Sequence, residues 1–221
     1  DGAKIASMVN VPYSTVQRLS DVSLDILAGQ EISVASTKAF TNQLILMIAI
    51  AEMLGYTSDM DSIPESIAKT IEDNEKKAFA LAERLYDIND IFVLGKGASY
   101  PIAREISLKL KEVPYIHAEG MMAGELKHGT IALIDVGTPV ISLIPNGNHD
   151  MISSTREVEA RGAFTITISH KDGYFNVPKS DDIGFAIYAS IIGHLLSYHI
   201  GVLKGCEIDT PRNLAKSVTV H

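Results

Sequence analysis

The sequence predicts an α/β protein with a parallel, doubly wound sheet flanked by helices. Short apolar runs of strand length alternate along the chain with longer helical segments, which is the order of a sheet whose parallel strands are joined by helices. Hydrophobic residues make up 46% of the 221 residues and charged residues 21%, the balance of a globular protein with a sizeable core. The two observations together predict the layered α/β class.

The first part of the chain, residues 1–58, holds two strand candidates and one long helix. The strand candidates are the apolar runs 5–10 and 23–27. Ser36 or Thr37 is expected to cap a strongly apolar helix that ends near Met53. Two strands and one helix are too few to close a layered sheet, so we expect this part to be the end of a domain in a longer polypeptide.

From residue 59 onward the alternating pattern is complete. Residues 59–62 form a polar joint, and Pro64 stands in the first turn of a charged, amphipathic helix that extends to Tyr86. Strands are expected at 90–94, 139–144 and 164–168, and helices between Gly97 and Pro114, at 150–160 and at 185–203. The turn Gly95–Gly97 follows the first strand of this unit, where such sheets bind ligands. By itself it is a weak phosphate-loop signal.

The most apolar segment, residues 183–203, raises the question of a membrane span. It contains no Asp, Glu, Lys or Arg and is long enough to cross a bilayer. It also contains His194, His199 and two tyrosines, whose polar groups are costly in lipid. We therefore predict a helix buried in the protein and no membrane association.

Charge and cysteine content exclude several classes of function. The net charge of -8 argues against general binding to nucleic-acid phosphates or to anionic membranes, although a local pocket can still take a small phosphorylated substrate. The single cysteine, Cys206, excludes an internal disulfide and suits a reducing cytoplasm. No Cys/His spacing resembles a zinc site.

Lys109, Glu112 and His128 form the candidate catalytic cluster. Lys109 and Glu112 are three residues apart and project from one face of a helix. His128 immediately precedes Gly129, where a turn could direct it toward that face. A base, a cation and a second titratable group are the parts needed for proton transfer next to a carbonyl. The residues alone leave open a solvated ion pair and a turn histidine.

Four separated segments resemble the isomerase part of the glucosamine-6-phosphate synthases, the glutamine–fructose-6-phosphate amidotransferases. They occur in the family's order and are Glu31–Leu44, Leu108–Glu112 with Tyr115–Glu119, Gly124–Gly129 and Pro211–Val220. The resemblance implies two sugar-isomerase (SIS) subdomains. Residues 1–58 are then the C-terminal part of the first subdomain, 59–203 the second, and 204–221 a C-terminal catalytic tail.

The resemblance assigns a role to each candidate residue in making glucosamine 6-phosphate from fructose 6-phosphate and glutamine-derived ammonia. Glu112 matches the carrier of a proton from C1 to C2, and its basicity can rise through desolvation. Lys109 matches an electrophile near O1, Lys216 the imine-forming lysine, and His128 a ring-opening residue supplied by a neighbouring subunit. Three further residues match contacts to the sugar: Val34, Ser36 and Ala215.

The same resemblance implies the partners. The substrate is a sugar phosphate, no metal or organic cofactor is required, and the protein is a cytoplasmic homodimer whose full-length chain carries a glutaminase domain. The family's phosphate-binding loops belong upstream of Asp1, so we expect little turnover from this chain alone. Two alternatives remain: a deglycase acting on fructosamine phosphates, and a non-catalytic sugar-phosphate sensor built on an SIS domain.

Overall fold

The computed structural model describes residues 2–217, which form two compact units. The first unit ends at Met60 and resumes at Ala215, and the second is Asp61–Leu214. The segment expected as one tail, 204–221, is therefore divided between the two units, and its end lies outside the described residues.

The first unit pairs two short parallel strands and contains one long helix. Its elements are β1 (Ala6–Val9), α1 (Thr15–Arg18), β2 (Val22–Asp25) and α2 (Lys38–Met53). The strands pair in register from Ala6 with Val22 to Val9 with Asp25. Both strands predicted from the apolar runs, and the apolar helix after them, are confirmed.

The second unit contains the complete alternating pattern. Its elements are α3 (Ile63–Leu85), β3 (Asp90–Gly95), α4 (Ser99–Glu112), β4 (His117–Met122), β5 (Pro139–Ile144), α5 (His149–Glu159), β6 (Phe164–Ser169), β7 (Phe175–Asn176) and α6 (Asp182–Leu203). Short 3-10 helices cover Ala123–His128, Thr130–Leu133 and Pro145–Gly147. A further 3-10 turn, Met60–Ser62, precedes α3.

The five strands form one sheet in the order β4-β3-β5-β6-β7, and every neighbouring pair is parallel. The prediction of a parallel, doubly wound sheet is confirmed. The chain winds outward from β3 to β4 and then, from β5, in the opposite direction. The carboxyl ends of β3 and β5 therefore border the switch point at which sheets of this class bind ligands. All six residues of β5 are buried, as a central parallel strand requires.

Strand β4 was not predicted from the sequence, because polar residues and a glycine interrupt its apolar pattern. His117 and Glu119 are exposed while Ala118 and Met121 are buried. Gly120 lets α4 approach closely, since a Cβ at this position would lie 2.5 Å from the carbonyl oxygen of Ala103. All six residues of β4 pair with β3, so the sheet imposes the strand on a segment of weak intrinsic preference.

Helix α6 is the core helix of the second unit. It is long and apolar enough to cross a membrane by length and composition, yet 72% of its most apolar window is buried inside the protein. It packs against α3 and α4. Asp181 caps its N-terminus by accepting a hydrogen bond from the Gly184 N–H at 2.8 Å. The apolar segment is thus a buried helix, as its polar residues predicted.

Candidate active site

Lys109 and Glu112 lie on the C-terminal part of α4 and form a buried ion pair. Lys109 Nζ donates a hydrogen bond of 2.6 Å to Glu112 Oε2. The lysine side chain is 4% exposed and the glutamate side chain 20%. Burying an ammonium group costs free energy unless a carboxylate replaces the lost water. Its ion pair therefore stabilises the buried charge of Lys109. The predicted pairing on one helix face is confirmed, and the solvated interpretation of Lys109 is wrong.

A second carboxylate, Glu105, completes the surroundings of Lys109. Its Oε1 lies 3.5 Å from Lys109 Nζ and 3.5 Å from His194 Nε2 on α6. Glu105 and His194 are each 11% exposed. Two largely enclosed carboxylates therefore share one ammonium group, and the imidazole of His194 lies beside one of them. Glu105 orients the ammonium group of Lys109. That ammonium group in turn fixes the position of the Glu112 carboxylate at the end of the helix.

Sequence reasoning missed the roles of Glu105 and His194. The spacing of Glu105, Lys109 and Glu112 at i, i+4 and i+7 was an available signal, because such residues share one face of a helix. No pattern in the sequence indicated His194, which reaches this cluster only through the packing of α6 on α4.

His128 occupies the last position of a 3-10 helix, where a turn was expected. Its side chain is exposed. Within residues 2–217 no hydrogen bond or ion pair links His128 to Lys109 or to Glu112. The supply of His128 from a neighbouring subunit stays a prediction.

In the first unit, Lys216 is tied to the segment that precedes α2. Its Nζ donates to the carbonyl oxygen of Ser33 at 2.8 Å and lies 3.5 Å from that of Val34. The side chain is 46% exposed, so the amine remains accessible. The contact places Val34 beside Lys216 through its main chain. Ala215 is exposed, and the end of the predicted catalytic tail lies outside the described residues.

Glu31 organises this part of the first unit and was not predicted to do so. Its side chain is 7% exposed and lies 3.9 Å from Lys216 Nζ. It accepts hydrogen bonds from Ser36 Oγ at 2.7 Å and from the Thr37 N–H at 2.9 Å. Burial raises the pKa of Glu31, but the hydrogen bonds from Thr37 and Ser36 and the charge of Lys216 outweigh it, and the net pKa is lowered.

The expected cap of α2 is corrected by these contacts. Thr37 occupies the N-cap position but makes no side-chain capping bond. The hydroxyl of Ser36 is engaged by Glu31 and does not cap the helix. The carboxylate of Glu31 takes over this role from six residues upstream of Thr37, because a negative charge at a helix N-terminus is favourable and accepts the N–H groups left free there.

A cleft of about 690 Å³ adjoins these groups in the first unit. Glu31, Ser36 and Lys216 line it together with the turns after β1 and β2. The volume is that of a small-molecule site. The cleft therefore offers an accessible amine, a buried carboxylate and a hydroxyl to one ligand.

The switch point of the second unit carries a different arrangement. Lys96 lies in the turn between β3 and α4, and Asp150 lies in the first turn of α5. The two side chains form an ion pair, and the ammonium of Lys96 holds the pKa of Asp150 below its usual value. Lys96 is thus engaged within the protein. Among the described residues, no group of three His, Cys, Asp or Glu side chains is placed to hold a metal ion.

Comparison with known proteins identifies the family. The SIS domain model matches residues 84–198. A relative from Thermococcus kodakarensis, named glutamine–fructose-6-phosphate aminotransferase (isomerizing), is 41% identical over 243 residues, covering 100% of this chain and 40% of the relative. A protein of the same name from Rhizobium meliloti is 40% identical over 245 residues, with the same coverage. The chain thus spans about 40% of the length of these curated relatives.

Solved structures agree with this assignment. The C-terminal domain of glucosamine-fructose-6-phosphate aminotransferase from Francisella tularensis is similar with a TM-score of 0.84 and 33% identity, covering 94% of this chain and 65% of that chain. Glucosamine-6-phosphate deaminase from Thermotoga maritima shares the fold with a TM-score of 0.80 at 22% identity, covering 96% of this chain and 66% of that one. The parallel sheet and the match over residues 84–198 show that this chain belongs to the SIS domain family.

Proposed function

We propose that the chain is the isomerase portion of an enzyme that converts fructose 6-phosphate and glutamine-derived ammonia into glucosamine 6-phosphate. The observation that carries this proposal is the buried pair of Lys109 and Glu112, with 2.6 Å between Nζ and Oε2. A carboxylate next to a fixed cation is suited to moving a proton between two neighbouring carbons while negative charge develops on an adjacent oxygen. The names of the relatives and of the similar structures support the substrate class.

In the first step, the amine of Lys216 adds to the C2 carbonyl of the open-chain sugar. A C–N bond forms, the C2 oxygen leaves as water, and one proton taken up from solvent leaves the imine protonated. Glu31 lies 3.9 Å from this amine and stabilises positive charge on it, while the Ser33 carbonyl orients the nitrogen. The hydroxyl of Ser36 and the main chain of Val34 and Ala215 are assigned to binding the sugar. Ammonia then displaces the lysine and leaves its nitrogen on C2.

In the second step, Glu112 removes a proton from C1 and returns it to C2. The C1–H bond breaks, its electron pair forms a C1–C2 double bond, and the imine nitrogen accepts the displaced pair. When Glu112 returns its proton to C2, the O1 hydroxyl gives its proton to the amine on C2, and C1 becomes the aldehyde carbon. Lys109 stabilises the negative charge that develops on O1. Glu105 holds Lys109 in place during this change.

The remaining assignments extend the proposal beyond a single chain. The side chain of His128 is exposed, which suits a ring-opening residue that acts in the site of a neighbouring copy. The proposed assembly is therefore at least a homodimer, located in the cytoplasm, with a glutaminase domain in the same full-length protein as the source of ammonia. No metal or organic cofactor takes part in the proposed steps.

Trapping of the imine tests the function directly. The chain is incubated with fructose 6-phosphate and cyanoborohydride, and the modified peptide is identified by mass spectrometry. We expect one reduced adduct on Lys216 and none after Lys216→Arg. Lys38→Arg is the matched control, since Lys38 also donates to a backbone carbonyl, that of Gln30. An adduct that persists in Lys216→Arg, or that forms equally on Lys38, contradicts the proposal.

Two experiments distinguish the proposed function from a deglycase and from a non-catalytic sensor. A deglycase would release the amine from a fructosamine phosphate faster than it would react with fructose 6-phosphate, which a panel of both substrates measures. A non-catalytic sensor needs no proton carrier, so its response to a sugar phosphate would be unchanged by Glu112→Gln.

A further inference from the structure

The second unit contains a cleft of its own, of about 860 Å³, at the carboxyl edge of its sheet. It lies where β5 and β6 end, and is bordered by Asn146 and Gly147 after β5, by His170 after β6 and by one face of α5. It shares no lining residue with the Lys109–Glu112 pair or with the cleft beside Lys216. No step of the proposed reaction uses it.

Positive charge dominates the lining of this cleft. Arg156 comes from α5, and Lys171 and Lys179 come from the loops on either side of β7. Within residues 2–217, none of the three forms an ion pair with a carboxylate. Asp172 is the one acidic residue that lines the cleft. The chain as a whole carries a net charge of -8, so the local charge of this cleft is opposite in sign to that of the whole chain.

Hydrogen bonds hold the two loops, on either side of β7, that carry Lys171 and Lys179. Ser169 Oγ donates to the carbonyl oxygen of Lys171 at 2.8 Å. His170 Nδ1 lies 2.8 Å from the carbonyl oxygen of Pro178 and must donate to it, since a carbonyl only accepts. The ring also packs edge-on against Phe185. The backbone around the cleft is therefore ordered before any ligand arrives, which reduces the entropy lost on binding.

His170 adds an unsatisfied polar group at the cleft. With Nδ1 engaged by Pro178, its Nε2 is buried and has no hydrogen-bond partner among the described residues. A buried polar atom without a partner costs free energy, and in native proteins it commonly finds a ligand or a water molecule.

We propose that this cleft binds the phosphate group of a small phosphorylated molecule. Arg156, Lys171 and Lys179 would contact the phosphate oxygens, for which guanidinium and ammonium groups are suitable donors. The volume of about 860 Å³ exceeds the need of a bare phosphate and suits a phosphomonoester of sugar size. Ile144 and Ile152 provide apolar surface for the remainder of such a ligand. This site is additional to the proposed catalytic one.

The test measures binding of inorganic phosphate and of fructose 6-phosphate, in separate titrations, by calorimetry and by the chemical shift of His170 in the labelled chain. Arg156→Gln and Lys179→Gln are each expected to weaken binding at this site about tenfold, and the double variant about a hundredfold. The matched controls are Arg161→Gln and Lys204→Gln, exposed cations outside the cleft, which should leave the affinity unchanged.

The outcomes distinguish the ligands and the two sites. Tighter binding of fructose 6-phosphate identifies a phosphomonoester as the ligand, and equal binding identifies free phosphate. An affinity that is insensitive to both cleft substitutions, or an absence of any shift at His170 at saturating phosphate, overturns the proposal. The cleft variants should still be trapped at Lys216, so failure here is separate from failure of the proposed reaction.

Discussion

Lys109 and Glu112 form a hydrogen-bonded ion pair of 2.6 Å in which the lysine is the more deeply buried partner. The side chain of Glu112 is 20% exposed, whereas that of Lys109 is 4% exposed. Glu105 Oε1 lies 3.5 Å from the same ammonium group. The two carboxylates stabilise the buried ammonium group, so removal of the cation should cost stability.

Glu112→Gln should abolish proton exchange at C1 and leave the fold intact. The amide keeps the shape of the side chain and can still accept a hydrogen bond from Lys109, but it cannot take up a proton. Loss of a general base lowers a proton-transfer rate by about 10² to 10⁴-fold. The measurement is deuterium incorporation at C1 of fructose 6-phosphate by ¹H NMR, made on the full-length protein with ammonia supplied. Glu119→Gln, an exposed carboxylate on β4, is the control, and equal exchange in both variants would show that Glu112 is not the proton carrier.

Lys109→Met should destabilise the second unit by about 3 kcal/mol, because it leaves two largely buried carboxylates without their cation. Lys111→Met is the matched control on the same helix: Lys111 is exposed, and its loss should change the free energy of unfolding by no more than about 0.5 kcal/mol. Urea denaturation measures both. Adding Glu105→Gln to Lys109→Met should recover part of the loss, since one buried charge is removed. Similar costs for the two lysines would contradict the arrangement.

The ionisation of Glu31 should make the stability of the start of α2 depend on pH. Its pKa is lowered in the folded chain, against burial, by hydrogen bonds from Thr37 and Ser36 and by Lys216. A lowered pKa means that its stabilising contribution is fully present above the unfolded value, about 4.3, and is lost as the pH falls through the lower folded value. Between pH 5 and pH 3, amide exchange at Thr37 should therefore accelerate beyond its intrinsic pH dependence.

Glu31→Gln should remove that extra acceleration, because the amide does not titrate. Asp25→Asn, an exposed carboxylate of the same unit, should retain it. Hydrogen exchange followed by ¹⁵N NMR measures all three proteins. A wild-type profile indistinguishable from that of Glu31→Gln would show that this carboxylate does not hold the start of α2.

Gly120→Ala should destabilise the second unit by about 2 kcal/mol, because the added Cβ would lie 2.5 Å from the carbonyl oxygen of Ala103 in α4 and the helix would have to shift. Gly124→Ala is the control in the following 3-10 helix, where an added Cβ meets nothing within 4 Å. There the substitution should be neutral or stabilising by up to about 1 kcal/mol. Thermal and urea unfolding provide the comparison. A neutral Gly120→Ala would indicate that α4 does not pack as closely on β4 as described.

Much of the fold could be predicted because its elements are local patterns. The apolar runs that became β1, β3, β5 and β6 have strand length, and the helices between them have helical periodicity. Strand β4 was not predicted, because its residue types show no clear apolar pattern. Its strand structure depends on pairing with β3. The cap of α2 was assigned to Ser36 or Thr37 from residue type alone, whereas the group that receives the Thr37 N–H is a carboxylate folded back from Glu31.

The spacing of Lys109 and Glu112 was enough to predict that they share a helix face, because residues three apart do so whatever surrounds the helix. The sequence by itself also determined the parallel α/β class, through the order of its strands and helices. Long-range packing, by contrast, sets the burial of Lys109 and the position of His194 beside Glu105. Those facts depend on α6 packing against α4, a contact between segments far apart in the chain that no local spacing encodes. The position of Lys216 over the Ser33 carbonyl was likewise decided by tertiary structure, since 183 residues separate the two.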